Sequence, residues 1–280
     1  MKQVMFTLAV LLNAYMLSAC SINIGADRSA GHYERDAAGY GANDGVIERS
    51  LSVKPFTALE CRLPASVTYV QTNDQAPKVV LKGAPAMVER CVVDVRDGKL
   101  QLYLVQNAKQ SMKRFSQSRN QLNITVYGDR LTALAVQSAC TFYAAQLETS
   151  QLALSNAGAS SIRVGRFAGQ QLTMSCSGAS STKLAGNVAK LMLNVTGASS
   201  FVANEFTTQD LKAKVSGAST AKCALQGSAG VDVSGASTLT LSGTSDSFTI
   251  KCSGASSVKA ADLKAQNVVV DVAGASGVKC

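Results

Sequence analysis

Residues 172–184 read Leu172-Thr173-Met174-Ser175-Cys176-Ser177-Gly178-Ala179-Ser180-Ser181-Thr182-Lys183-Leu184. Leu172, Met174 and Cys176 alternate with the polar Thr173 and Ser175 on the way to Gly-Ala-Ser. Strict alternation means a strand with one buried face. The tripeptide itself returns at Gly158, Gly178, Gly197, Gly217, Gly235, Gly254 and Gly274. A steady period of about 20 residues marks a solenoid in which each repeat is one supersecondary unit.

The alternation before each glycine recurs as Leu191, Leu193, Val195; Leu211, Ala213, Val215; Phe248, Ile250, Cys252; and Val268, Val270, Val272. After each glycine, positions four and six are again mostly apolar: Ile162 and Val164, Phe201 and Ala203, Leu239 and Leu241, Val258 and Ala260. A third apolar residue recurs near position nine, at Phe167, Phe206 and Leu263. The period is two rather than 3.6, and the segments are rich in Gly, Ser and Thr, so helices are excluded. Two short strands per repeat leave no room for a crossover helix. The chain must return above itself with like positions stacked about 4.8 Å apart. The expected fold is all-β: a parallel β-helix, right-handed because parallel crossovers are. Glycine belongs at the bend, and the serines of the tripeptide belong in a structural ladder of hydroxyls.

The chain before the repeats is organised differently. Residues 1–19 read as a lipoprotein signal peptide: Lys2 supplies a positive charge, Val4 to Leu17 is apolar, and Leu17-Ser18-Ala19-Cys20 follows. The apolar run is too short to span a bilayer comfortably. It matches the lipobox of bacterial lipoproteins, which implies a diacylglycerol on the Cys20 thiol. Ser21 favours the outer membrane over the inner one. Residues 20–45 read as a flexible tether, with Gly25, Gly31, Gly39, Gly41 and Gly45 among small polar residues and the protein's one histidine, His32. Residues 46–130 carry an irregular β pattern, with strands expected at 46–53, 58–63, 67–71, 78–81, 88–96, 99–105 and 121–126. Asp97-Gly98 marks a hairpin turn. Residues 106–120 form a polar loop with Lys109, Lys113, Arg114 and Arg119. Regular coils run over residues 131–280, with Ser138 in place of the first glycine.

Loss of the signal removes Lys2, so 27 basic residues become 26 against 18 acidic ones, a net charge of +8. The basic residues are scattered, with no dense run. A basic exterior permits attraction to anionic polysaccharide or membrane. Nucleic-acid binding is not expected, since no recognised module is present. Eight cysteines in an exported chain invite disulfides. The repeat template instead makes Cys176 and Cys252, and Cys223 and Cys280, small core residues in columns several coils apart. Cys61 and Cys91, on early strands, are the one candidate pair. No Cys-x-x-Cys motif suggests zinc, and no cofactor is expected. With its histidine in the tether, the folded part holds no Ser-His-Asp or Cys-His engine. Glu205, Asp210, Asp232, Asp246, Asp262 and Asp271 fall at different repeat positions. Tyr103, Tyr127 and Tyr143 are the available sugar-stacking rings in a chain without tryptophan.

The lipobox, Val53-Lys54-Pro55-Phe56-Thr57-Ala58-Leu59, Gly98-Lys99-Leu100 before a strand, and the Ser-Gly-Ala-Ser coils together resemble the bacterial family of auto-transporter adhesin, head GIN domains. The resemblance covers Val46 to Cys280. It implies a parallel β-helix on an exported protein and brings no catalytic residues. The expectation is a non-catalytic adhesion or scaffold module of the cell envelope. A carbohydrate-binding or carbohydrate-active β-helix and a periplasm-facing sensor or assembly accessory are the alternatives. The final coil, with Val268, Val270 and Val272, presents an open end suited to self-association or another envelope protein.

Overall fold

The computed structural model describes residues 45–105 and 122–279. They belong to one compact unit, Asp44–Cys280. Among the described residues, seventeen strands and one short helix fold as a parallel β-helix. The polar loop expected over residues 106–120, the signal peptide and the tether up to 44 lie outside the described residues.

The regular coils follow the sequence template closely. Strands β11 (Ser161–Cys176), β12 (Ser181–Val195), β13 (Ser200–Val215), β14 (Thr220–Val233), β15 (Thr238–Cys252) and β16 (Ser257–Val272) each pair in parallel with the next. Each contains both template strands, joined through a bulge rather than a break, as between Val164 and Phe167. Leu154, Met174, Leu193, Ala213, Val231, Ile250 and Val270 align in one column. The first six are buried. Cys176 stacks on Val195 and Asn156, as the core reading of that column requires.

The bend shows why the tripeptide repeats. Gly217 has φ +82°, and a Cβ built on it would lie 2.5 Å from the Gly197 carbonyl oxygen. Left-handed backbone and close stacking both demand glycine there. Ser138 occupies the first bend at φ 68°, an L residue in the same conformation. The adjacent serines are buried and donate to the coil before: Ser199 to Gly178 O at 3.3 Å, Ser219 to Gly197 O at 3.2 Å and Ser237 to Gly217 O at 3.2 Å. This column is structural, as its spacing suggests.

One inward position is polar. Asn156 is fully buried and donates from Nδ2 to Ser181 O and Thr182 Oγ1, both at 2.8 Å. Its Oδ1 accepts from Ser160 Oγ at 2.5 Å. Every polar atom of this small network finds a partner, which makes its burial tolerable.

The N-terminal part belongs to the same stack, but out of chain order. Strands β2 (Ala58–Arg62) and β3 (Ser66–Gln71) lie between β6/β7 (Lys99–Leu104, Asn123–Gly128) on one side and β8/β9 (Ala133–Val136, Thr141–Glu148) on the other. The chain lays down a coil, covers it, and then passes back to build the regular coils from its free side, starting with β10 (Gln151–Asn156) against β8. The covering layer is antiparallel: β5 (Cys91–Arg96) on β6, and β4 (Lys78–Gly83) on β7 with β1 (Ile47–Ser52) beyond it. Asp97 and Gly98 make the β5–β6 turn with φ 50° and 70°, as the Asp-Gly pair predicts. The strand expected to start at residue 88 begins at Cys91. Helix α1 (Pro85–Val88) precedes it, with proline in its first turn and Met87 and Val88 buried.

Val268, Val270 and Val272 occupy core columns yet are 42%, 46% and 45% exposed, because β17 (Gly277–Lys279) pairs only with Ser257–Lys259.

Candidate functional face

Stacking turns positions far apart in sequence into lines on the surface. Five residues after each bend glycine, one outward column runs Tyr143, Arg163, Lys183, Val202, Lys222, Thr240, Lys259, Lys279. Its five cations are one or two whole repeats apart along the chain, so the scattered charge read from the sequence needs correction. On the molecule they form one basic line. All five are exposed. None forms an ion pair with another described residue; the pairs present are Arg62–Glu60, Lys82–Glu48, Arg96–Asp94 and Lys190–Asp210. Like charges this close repel, so the line is a standing source of positive potential.

Beside it, two residues earlier in each coil, runs a second column: Ser66, Thr141, Ser161, Ser181, Ser200, Thr220, Thr238, Ser257. Every one carries a hydroxyl. Unlike the inner serines, these face outward and are at least partly exposed. Glu205 and Asp262 follow three positions after the basic column, past the bulge in their coils.

The face built by the strand before each bend is different. Its outward column reads Ser175, Asn194, Lys214, Asp232, Lys251, Asp271, with charges alternating in sign. Its neighbours neutralise one another, and it holds no net line of charge.

Of the three tyrosines, Tyr103 lies under the Arg62 guanidinium, 5.8 Å from its ring centre, and Tyr127 under the Lys78 ammonium at 4.6 Å. Tyr143 is the exposed one, at 41%, and it heads the basic column. The six carboxylates named from the sequence stay apart. Among the described residues no three His, Cys, Asp or Glu side chains gather as a metal site.

Cys20 and Cys280 lie outside the described residues. Cys61 and Cys91 are both buried free thiols. They lie on β2 and β5, with β6 between them. The nearer partner of Cys61 is the Cys140 thiol, whose hydrogen bond, ahead of burial, pushes the Cys61 thiol well up. Burial raises Cys223 to about 12 and Cys176 to about 11, the latter partly offset by its hydrogen bond with Thr182. Thiols buried and held protonated are poor nucleophiles. Native protein at pH 8 should leave Cys176, Cys223 and Cys252 unalkylated, and denaturation without reductant should expose all three. A Cys176–Cys252 crosslinked peptide would contradict the stacked coils. The raised values also fix a sign. Below pH 9.0, the ordinary thiol value, both folded and unfolded chains keep these protons and nothing changes. Above it the unfolded chain releases protons that the fold retains, so stability falls as pH rises towards about 12.

The family model described as "Putative auto-transporter adhesin, head GIN domain" matches residues 55–237 and 226–280. The chain belongs to this family. Among solved structures, a putative adhesin from Bacteroides fragilis superposes with a TM-score of 0.62 at 16% identity, over 86% of this chain and 100% of that one. A putative adhesin from Parabacteroides distasonis gives 0.63 at 14% identity, over 85% and 98%. A putative lipid binding protein from the same organism gives 0.52 at 13%, again over 85% and 98%. At such identities these likenesses speak for the fold alone. No curated protein matches the sequence.

Proposed function

We propose that this head GIN domain protein is a non-catalytic adhesion module, tethered to the bacterial envelope by lipid on Cys20 and working through its outer faces. The observation that carries this reading is where the chemistry sits. Among the described residues the interior is packed mainly with Leu, Val, Phe and Cys, and the charged groups lie outside in lines. A hydrolase or lyase needs titratable groups converging on one substrate position. On the described faces Asp232 and Asp271 flank Lys251 instead of gathering. A stack of coils with repetitive faces suits contact with an extended partner. Family membership supports the adhesive reading.

The lipobox supports the anchor, and Ser21 supports the outer membrane. Lipid chains hold a protein to a membrane through buried CH₂ groups. Cys20→Ser is expected to leave a full-length precursor that incorporates no labelled fatty acid. Normal processing and labelling of that variant would remove the anchor from the proposal. Adhesion itself is tested by deleting the gene and scoring attachment of intact cells, alongside protease shaving for surface exposure. Unchanged attachment of the deletion strain to every surface tried would remove the adhesive role.

A further inference from the structure

We propose that the column Arg163, Lys183, Lys222, Lys259, Lys279 is the docking line for a linear acidic polysaccharide laid along the axis of the solenoid. The inference rests on the adhesive reading and names the class of ligand.

Geometry argues first. Six coil steps separate Arg163 from Lys279. With strands about 4.8 Å apart, the line is about 29 Å long. Lys183, Lys222 and Lys259 are each two coils from the next, because Val202 and Thr240 hold the positions between. Two strand spacings make an interval of roughly 10 Å. That interval is on the scale of two sugar units, so a polymer with a carboxylate on each sugar, such as polygalacturonate, sets every second one against a cation. The partner must be a line, since the basic column is one residue wide.

The neighbouring chemistry argues next. The parallel column from Thr141 to Ser257 offers one outward hydroxyl per coil, each able to donate and accept. Sugar hydroxyls need such partners along their length. Tyr143 adds a half-exposed ring at the head of the line, a surface on which a sugar face can lie.

Other polyanions fit less well. Duplex DNA carries about one charge per 1.7 Å of axis, whereas this line offers one cation per roughly 7 Å. An anionic membrane needs a broad patch with apolar residues to insert, and Val202 is the sole aliphatic residue in the column.

The test uses the mature lipidated protein in detergent, with immobilised polygalacturonate as probe and dextran as the neutral control. Duplex DNA and phosphatidylglycerol vesicles are run as separate arms. Lys183→Gln/Lys222→Gln/Lys259→Gln is compared with Lys212→Gln/Lys214→Gln/Lys251→Gln. The second set removes the same charge from exposed positions on the strand before the bend. Circular dichroism checks both folds. Wild type should bind polygalacturonate and not dextran, more weakly as salt rises. The first variant should lose roughly tenfold or more in affinity, and the second should stay within about twofold. Equal losses in both would reduce the effect to net charge and overturn the docking line. So would failure to bind polygalacturonate, or tighter binding of DNA or vesicles. Whole-cell attachment separates the two levels: if gene deletion abolishes attachment but the first variant keeps it, the adhesive role stands and the docking line falls.

Discussion

Leu193→Asp is expected to unfold the solenoid or leave it without a cooperative transition. Leu193 is 3% exposed and lies in a column between Met174 and Ala213, both also buried. The aspartate would be enclosed by apolar side chains of two neighbouring coils. A carboxylate there loses its water and finds no partner. Such substitutions cost about 4–5 kcal/mol or more, comparable with the whole stability of many domains. The comparison is Lys212→Asp, in the adjacent coil on the outward side. It should change stability by about 0.5 kcal/mol or less. Urea denaturation of both variants reads the difference. Equal effects would place both residues on the wrong faces.

Gly217→Ala is the second large effect. The new methyl carbon would stand 2.5 Å from Gly197 O and 3.0 Å from Gly197 N, on a backbone at φ +82°. The left-handed conformation alone costs an L residue about 1–2 kcal/mol. The clash adds to it, because both atoms are backbone and cannot swing away. Gly230→Ala in the next coil is the control. A Cβ there meets nothing within 4 Å and the backbone is not left-handed. That change should be neutral or stabilise by about 0.4–1 kcal/mol through the unfolded chain. A melting temperature lowered by Gly217→Ala and kept or raised by Gly230→Ala is the expected pattern. Similar shifts in both would mean that the bends are not held by this contact.

The sequence made the regular coils legible because each one repeats the same physical demands. A bend needs glycine, and a two-sided strand needs alternation. The columns of Leu193 and Cys176, the ladder of Ser199 and Ser219, and the Asp97-Gly98 turn could be read without coordinates. What could not be read was anything that depends on which coil lies above which. The β2–β3 coil sits between β6/β7 and β8/β9, an order that no local pattern records. Helix α1 is four residues long, too short for a periodic signal. The basic line escaped for the same reason. Lys183 and Lys222 are two whole repeats apart along the chain, and they share a line only because the register of three coils brings them there. The position five residues after each glycine, tabulated down the repeats, carries that signal. A search for charge runs along the chain does not.

The basic face exists only if the coils stack in this register, and distances between spin labels along it measure that register. Arg163→Cys, Lys183→Cys and Lys222→Cys are each paired with Lys279→Cys in a chain whose Cys20 and Cys280 are serine. The six described native thiols are buried and should stay unlabelled. Lys279 lies six coil steps from Arg163, five from Lys183 and three from Lys222. The separations should therefore centre on about 29, about 24 and about 14 Å, falling by about 4.8 Å per coil, within the reach of the label linkers. Distances that do not shrink in step with coil number, or that are as broad as an unfolded chain's, would contradict the stack and the docking line together.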